Sequence, residues 1–243
     1  DAWGLTFWDE GVCREHLEHM NVGAIYTPIT EQWTVVSPSN AGGINWGGVA
    51  VDPVRGIVLA RSTNLPFQVR LIARERFPDE REGNEFDVEL APQRGMPYAM
   101  ARKPFMSPLG LPCTRPPWGE VTAIDLVRGV QLWTRPHGTV RDLSPVPVSW
   151  ELGVPGLGQA VVTASGLAFI GGAFERAIRA YDVQAGAELW QHRLPAVPAA
   201  TPMSYSVRLE SGGSRQFIVI AAGGYPRMGA PVGDYLVAFT LPE

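Results

Sequence analysis

The 243-residue chain is short of charge, of cysteine and of long apolar runs. Only 18% of its residues are charged and the net charge is −4, so no basic stripe stands ready to neutralise phosphates; no nucleic-acid partner is expected. Nothing approaches eighteen consecutive apolar residues, which leaves no membrane span to expect. No charged, apolar and small-residue leader opens the chain. It begins at Asp1 without an initiator Met, so we expect a piece cut from something longer. Two cysteines, Cys13 and Cys113, permit a single disulfide.

What the chain does have is 27 glycines and 22 prolines, a composition that favours many short strands joined by turns. It also repeats itself. AIDLVRGVQLW at 123–133 returns as AYDVQAGAELW at 180–190, with Ala, Asp, Gly, Leu and Trp in register. Each copy reads as a short β-run, an Asp, a turn through Gly129 or Gly186, and a second run closing on Trp133 or Trp190. Two more strand candidates, QAVVTAS and LAFIGGAF, precede the second copy. Four short antiparallel strands per unit make one propeller blade, with the closing Trp on the outer strand against its neighbour. Chance likeness between two hairpins does not explain five identities in register.

Further blades are traced at residues 47–62, a hairpin turning at Pro53 and Gly56, and at TPMSYSVRLESGGSRQFIVIAAGG, turning at Gly212 and Gly213. DYLVAFTLP adds a third strand to the last of these, and no fourth follows. The opening DAWGLTFWDEGVCREHLEHM has no strand pattern with which to supply it. The expected fold is therefore all-β: residues 1–243 form a single propeller portion, completed by a missing N-terminal segment.

NWGGVAVDP, MPYAMARKPFMSPLGLPC, PPWGEVTAIDL, TPMSYS and VGDYLVAFTLP resemble the C-terminal part of the quinoprotein dehydrogenases. The likeness is to the membrane-bound glucose and quinate type, which uses pyrroloquinoline quinone (PQQ), and it runs from about Trp3 to Pro242. The repeats are similar to that family's Trp-docking motif. The resemblance implies part of an eight-bladed β-propeller holding PQQ near its axis beside a calcium ion. It implies oxidation of a sugar, polyol or alcohol by hydride transfer to PQQ, with electrons passed to a quinone. It places the protein in the periplasm, attached to the inner membrane through a segment not present here. The family's catalytic Asp and calcium ligands precede the matched region, so no catalytic or metal residue is assigned to this chain. Asp52, Asp125 and Asp182 are read as turn caps.

Three places are carried over as cofactor or pocket contacts. At IVLARSTNLPF, Arg61 stands where the family usually has an Asn touching PQQ; it either meets a PQQ carboxylate or marks weakened binding. Asn64 is the nearby substitute. At PGLGQAVV, Leu157 and Gly158 stand where alcohol-oxidising relatives place a Trp. At AAGGYPRMG, Gly224 and Tyr225 occupy a loop that carries an aromatic or a His near the pocket. Ordinary packing at the propeller rim is the plain alternative for all of them. The oxidising compartment implies a Cys13–Cys113 bond. His16 and His19 are read as an exposed helical turn, and the mixed-charge run 73–95 as a solvated loop. The competing function is a non-catalytic propeller used as a protein-binding scaffold. A scaffold needs the docking Trp but not PFMSPLGLPC, which favours the enzyme.

Overall fold

The computed structural model describes residues 1–77, 88–145, 148–172, 174–226 and 229–242. The chain forms two compact units, one of residues 1–42 and 64–115 and the other of 43–63 and 116–243.

The larger unit is three antiparallel sheets. The first orders β2 (Ala50–Asp52), β3 (Ile57–Thr63), β7 (Gly119–Asp125) and β8 (Val130–Pro136). Residues 47–62 are thus a hairpin, as expected, but not a blade of their own. β3 pairs along its whole length with β7, Leu59 opposite Ala123 and Thr63 opposite Gly119. The hairpin is the inner half of the blade that the first repeat closes. The reason lies in alternation: Ile57, Leu59, Arg61 and Thr63 are buried along β3 in strict period two. Such a strand is completed only by a partner carrying the matching pattern, and Val121 and Ala123 supply it.

The second sheet orders β9 (Ala160–Val162), β10 (Leu167–Ile170), β11 (Ala177–Asp182) and β12 (Glu188–Arg193), the four strands read from the sequence. The third joins β13 (Met203–Arg208), β14 (Ser214–Ala222) and β15 (Tyr235–Phe239), and no fourth strand pairs with it among the described residues. Each repeat is a hairpin in which the Trp faces an Ala, Trp133 opposite Ala123 and Trp190 opposite Ala180. A register shift follows each pair. Side chains of successive sheets mesh into two cores. One gathers Ile57, Leu59, Ala123, Ile170 and Tyr181, and the other Ile178, Leu194, Ile218 and Ile220.

The three turn aspartates are structural. Asp52 Oδ1 accepts from the amides of Val54 and Arg55, Asp125 Oδ1 from Val127 and Arg128, and Asp182 Oδ1 from Gln184 and Ala185, all at 2.7–3.1 Å. One Asx turn recurs at three hairpins.

The smaller unit is built from residues 1–42, before β2, and from residues 64–115, which are inserted between β3 and β7. It contains a sheet ordered β1 (Thr34–Val36), β4 (Phe67–Ala73), β6 (Tyr98–Pro104) and β5 (Glu89–Ala91), with one helix, α1 (Phe7–Glu18). The opening segment without strand pattern is this helix. Thr6 caps it by accepting from the Asp9 amide, and buried Asp9 accepts from the amides of Leu5 and Leu109. His16 is exposed on α1 and His19 caps its end, in keeping with an exposed turn. Cys13 and Cys113 are bonded, tying α1 to the segment after β6 beside Phe105. Of the charged run, 78–87 lies outside the described residues. Its flanks are ordered, as a 3-10 turn at Arg74–Arg76 and as β5, so Glu89–Ala91 is strand rather than loop.

Candidate functional site

In a four-stranded antiparallel blade, the loop between the second and third strands and the loop leaving the fourth lie at the same end. In the larger unit this end gathers segments 154–159, 171–172 with 174–176, 196–201, and 222–226 with 229–231. Backbone hydrogen bonds tie them in series. The Leu157 amide donates to Gly172 O at 2.8 Å and Phe174 to Pro155 O at 2.9 Å; Gly172 donates to Pro198 O at 2.5 Å and Gly224 to Val197 O at 3.0 Å.

On this frame sit four of the six residues selected from the sequence. Leu157 is buried with Phe174 and Val197 in one apolar cluster, against which Tyr225 packs. The Tyr225 ring stacks on Phe174 with centroids 5.5 Å apart and planes at 26°. The sequence puts Phe174 at the end of the strand candidate LAFIGGAF, but β10 stops at Ile170 and Phe174 stands in the loop to β11. Gly158 is where the rim passes closest to the next segment; a Cβ there would come within 2.5 Å of Ala200 O. Gly224 opens the loop that Tyr225 closes by bridging to Ala230. Arg227 and Met228 of that loop lie outside the described residues. Asn64 belongs to the smaller unit, where it is exposed and its Oδ1 accepts from Ser37 Oγ at 3.2 Å.

Arg61 stands behind segment 154–159 rather than on its face, only 2% exposed. Gln159 grips its backbone at both ends, Oε1 accepting from Arg61 N and Nε2 donating to Arg61 O, each at 2.8 Å. Arg61 Nη2 donates to Val154 O at 2.9 Å, while its buried Nε has no acceptor. Two residues on, Thr63 Oγ1 donates to Gly156 O and accepts from Gly156 N. Burial pushes the guanidinium pKa down to about 10.

Behind the same end lies a buried polar array. His137 Nδ1 is 3.0 Å from Tyr181 Oη and its Nε2 is 3.3 Å from Gly171 O. A carbonyl only accepts, which assigns the proton to Nε2 and leaves Nδ1 to accept from the tyrosine. Burial, then the charges of Arg61 and Arg179, hold His137 well below the usual imidazole range. Glu175 accepts from Thr139 N and Oγ1 and meets Arg179 Nη1 at 2.7 Å. Asp142 takes a two-pronged contact from Arg193 and the amide of Arg176. Burial pushes the Asp142 carboxyl up, but Arg193 and Arg176 outweigh it and hold the pKa down to about 2. Among the described residues no group of three His, Cys, Asp or Glu is placed to hold a metal ion.

The blades and their rim define a β-propeller segment of the quinoprotein type. Residues 1–218 match the family described as "Glucose/ethanol/alcohol dehydrogenase, beta-propeller domain", and the chain belongs to that PQQ-dependent family. It is 40% identical to the quinoprotein glucose dehydrogenase of Escherichia coli K12, over all of this chain and 31% of that protein. It is 36% identical to a probable quinate dehydrogenase (quinone) of Xanthomonas campestris pv. juglandis, over all of this chain and 31% of that one. It is 34% identical to the glycerol dehydrogenase large subunit of Gluconobacter oxydans, again over the whole chain and 34% of the relative. The chain spans about a third of the length of these relatives.

Proposed function

We propose that the chain forms the C-terminal side of the cofactor cage in a PQQ-dependent dehydrogenase. That enzyme oxidises a sugar, polyol or alcohol and passes the electrons to a quinone. The observation that carries this reading is the convergence of Leu157, Gly158, Gly224 and Tyr225 at one end of the blades, in a chain whose whole length aligns with quinoprotein dehydrogenases. The apolar Leu157 and the Phe174–Tyr225 stack suit a flat aromatic ligand, with the rim held close at Gly158 against Ala200. PQQ, when bound, supplies the acceptor for hydride from the alcohol carbon. The chain's own residues Leu157, Gly158, Gly224 and Tyr225 orient it and keep water away.

In this reading residues 1–243 act as one propeller portion carrying the 64–115 insert. The missing N-terminal half brings the base and the calcium ligands, and the site is periplasmic, attached to the inner membrane by a segment outside this chain. Among the described residues no helix is long and apolar enough to cross a membrane. The test is PQQ titration of the apo-enzyme followed by tryptophan fluorescence, with dye reduction on glucose, quinate and glycerol. Saturable quenching with turnover supports the reading; a protein that neither binds PQQ nor reduces dye defeats it.

A further inference from the structure

Trp46 stands on the turn that leads into β2, and it is 67% exposed. The turn is held in place. Asn45 Oδ1 accepts from the Trp46 amide at 2.8 Å, and Asn45 O accepts from the Gly48 amide at 2.9 Å. Just before it, Gly43 and Thr63 exchange two backbone hydrogen bonds at 2.8 and 3.0 Å. Thr63 Oγ1 is also the group that holds Gly156. An open indole is therefore tethered to the strand end that carries segment 154–159.

Blade topology gives that turn its place. The stretch entering a blade's first strand starts at the end where the second-to-third loop lies, so 43–49, 154–159 and 196–201 are equivalent in successive sheets. Their contacts agree. A Cβ at Gly47 would come within 2.7 Å of Gln159 Cγ and 3.0 Å of Leu157 O, just as one at Gly158 would meet Ala200 O. The residue before the touching glycine is Trp46 in the first stretch and Leu157 in the second. Leu157 is covered; Trp46 stands open. No residue from Asn40 to Val51 is charged. An aromatic face carries partial negative charge, so it attracts the polarised C–H groups of a sugar ring and repels a carboxylate. We propose that Trp46 is a specificity-determining residue of the rim, the platform on which a neutral polyhydroxylated ring lays its C–H face. The proposal rests on the PQQ-dehydrogenase reading and deepens it to the class of substrate.

The experiment compares wild type, Trp46→Ala and Trp46→Phe in the full-length dehydrogenase. The probes are the ring sugars glucose, galactose and xylose, with glycerol as an open chain too short to cover an indole. For the sugar that wild type oxidises best, Trp46→Ala raises KM about tenfold and leaves kcat and PQQ affinity within about twofold. KM for glycerol, where wild type oxidises it, moves by less than about twofold. Trp46→Phe keeps an aromatic face and recovers most of the loss. Should Trp46→Ala fail to fold, Trp46→Leu takes its place, apolar but without the face, and the same rise in sugar KM is expected. A folded variant whose sugar KM matches wild type overturns the proposal; a lower melting temperature beside it would mean that the remaining propeller covers the indole. Weaker PQQ binding with sugar KM unmoved makes Trp46 a cofactor contact and also overturns it, as does an equal rise in KM for sugar and glycerol. A wild type that binds PQQ but oxidises none of the sugars overturns the proposal and leaves the dehydrogenase reading standing. A wild type that neither binds PQQ nor turns over any probe takes down that reading, and the proposal with it.

Discussion

Trp133 Nε1 donates a 2.9 Å hydrogen bond to the carbonyl of Val183, the residue after Asp182 in the following sheet's hairpin turn. Its ring lies flat on Gly186, where an added Cβ would come within 2.6 Å of it. One repeat phrase therefore docks onto the other: the Trp closing the first rests on the Asp-to-Gly turn of the second. That is why the phrase is written twice. Trp190 faces forward in the same way, meeting Phe239 of β15 edge-on at 5.1 Å.

Trp133→Phe keeps part of the ring contact and loses the hydrogen bond, so it should lower stability by about 1 kcal/mol. Trp133→Ala removes the docked ring and should cost about 3 kcal/mol. Gly186→Val should approach the alanine value, because it pushes a side chain into the ring at a φ of +68°. Denaturant titration of the three variants tests the order, and an alanine variant as stable as wild type would refute the docking.

The Cys13–Cys113 bond closes a loop across most of the smaller unit. Thiol titration of the unfolded, unreduced chain should find no free sulfhydryl. Reduction should weaken that unit by about 2–4 kcal/mol. Hydrogen exchange should then rise over 1–42 and 64–115 and stay as it was at β10 and β11. Two titratable thiols before reduction would contradict the bond.

The Asx turns, the docking tryptophans, the three-stranded final sheet and the disulfide were all legible in the sequence. The first two are local patterns, and local patterns survive in a one-dimensional string. The partner of β3 was not legible, because β7 lies more than fifty residues further along and nothing in residues 47–62 says the chain will leave and return. The inserted unit was missed for the same reason. At the site, Leu157, Gly158 and Tyr225 came from family likeness, whereas Phe174 and the lone charge of Arg61 emerge only when loops from different sheets are brought together. Arg61 is one letter in a strand whose alternation assigns its position to the core, and a cation there is the local rule that breaks.

His137 gives the folded state a pH limit. Its folded pKa is held well below 6.5, so unfolding below that pH takes up a proton the native state refuses. The stability from keeping it neutral is full above pH 6.5 and is lost as the pH falls toward the folded value. The slope of unfolding free energy between pH 7 and 5 should therefore flatten in His137→Gln, by up to one proton. An unchanged slope would show that His137 is protonated in the native state.

Tyr225→Ala should act on specificity more than on the fold. The ring is half-exposed and its stack on Phe174 is worth about 1 kcal/mol. If Tyr225 faces the substrate, the variant's ratio of kcat/KM for glucose against glycerol should move about tenfold, with PQQ affinity changing less. A shift in melting temperature with that ratio unmoved would make Tyr225 a packing residue.

The last sheet should make the isolated chain prone to associate with itself. β15 exposes an unpaired edge, and Leu236 and Leu241 lie open beside it. Between this sheet and the one before runs a groove of about 900 Å³ lined by Leu167, Phe169, Leu189, Trp190, Phe239 and Leu241. An open edge next to a greasy groove invites strand addition, and two copies of the chain offer each other both. The 243-residue chain should therefore self-associate in sedimentation velocity at micromolar concentration. With PQQ, calcium and glucose it should not reduce an artificial electron acceptor, because the described residues offer no metal cage and, in the proposed reading, the base lies outside this chain. Adding the remaining propeller segment should abolish the association and restore dye reduction together, since the strand that covers the groove and the groups that remove the proton would arrive on the same polypeptide. Turnover by the chain alone would show that the proton acceptor lies among its own side chains.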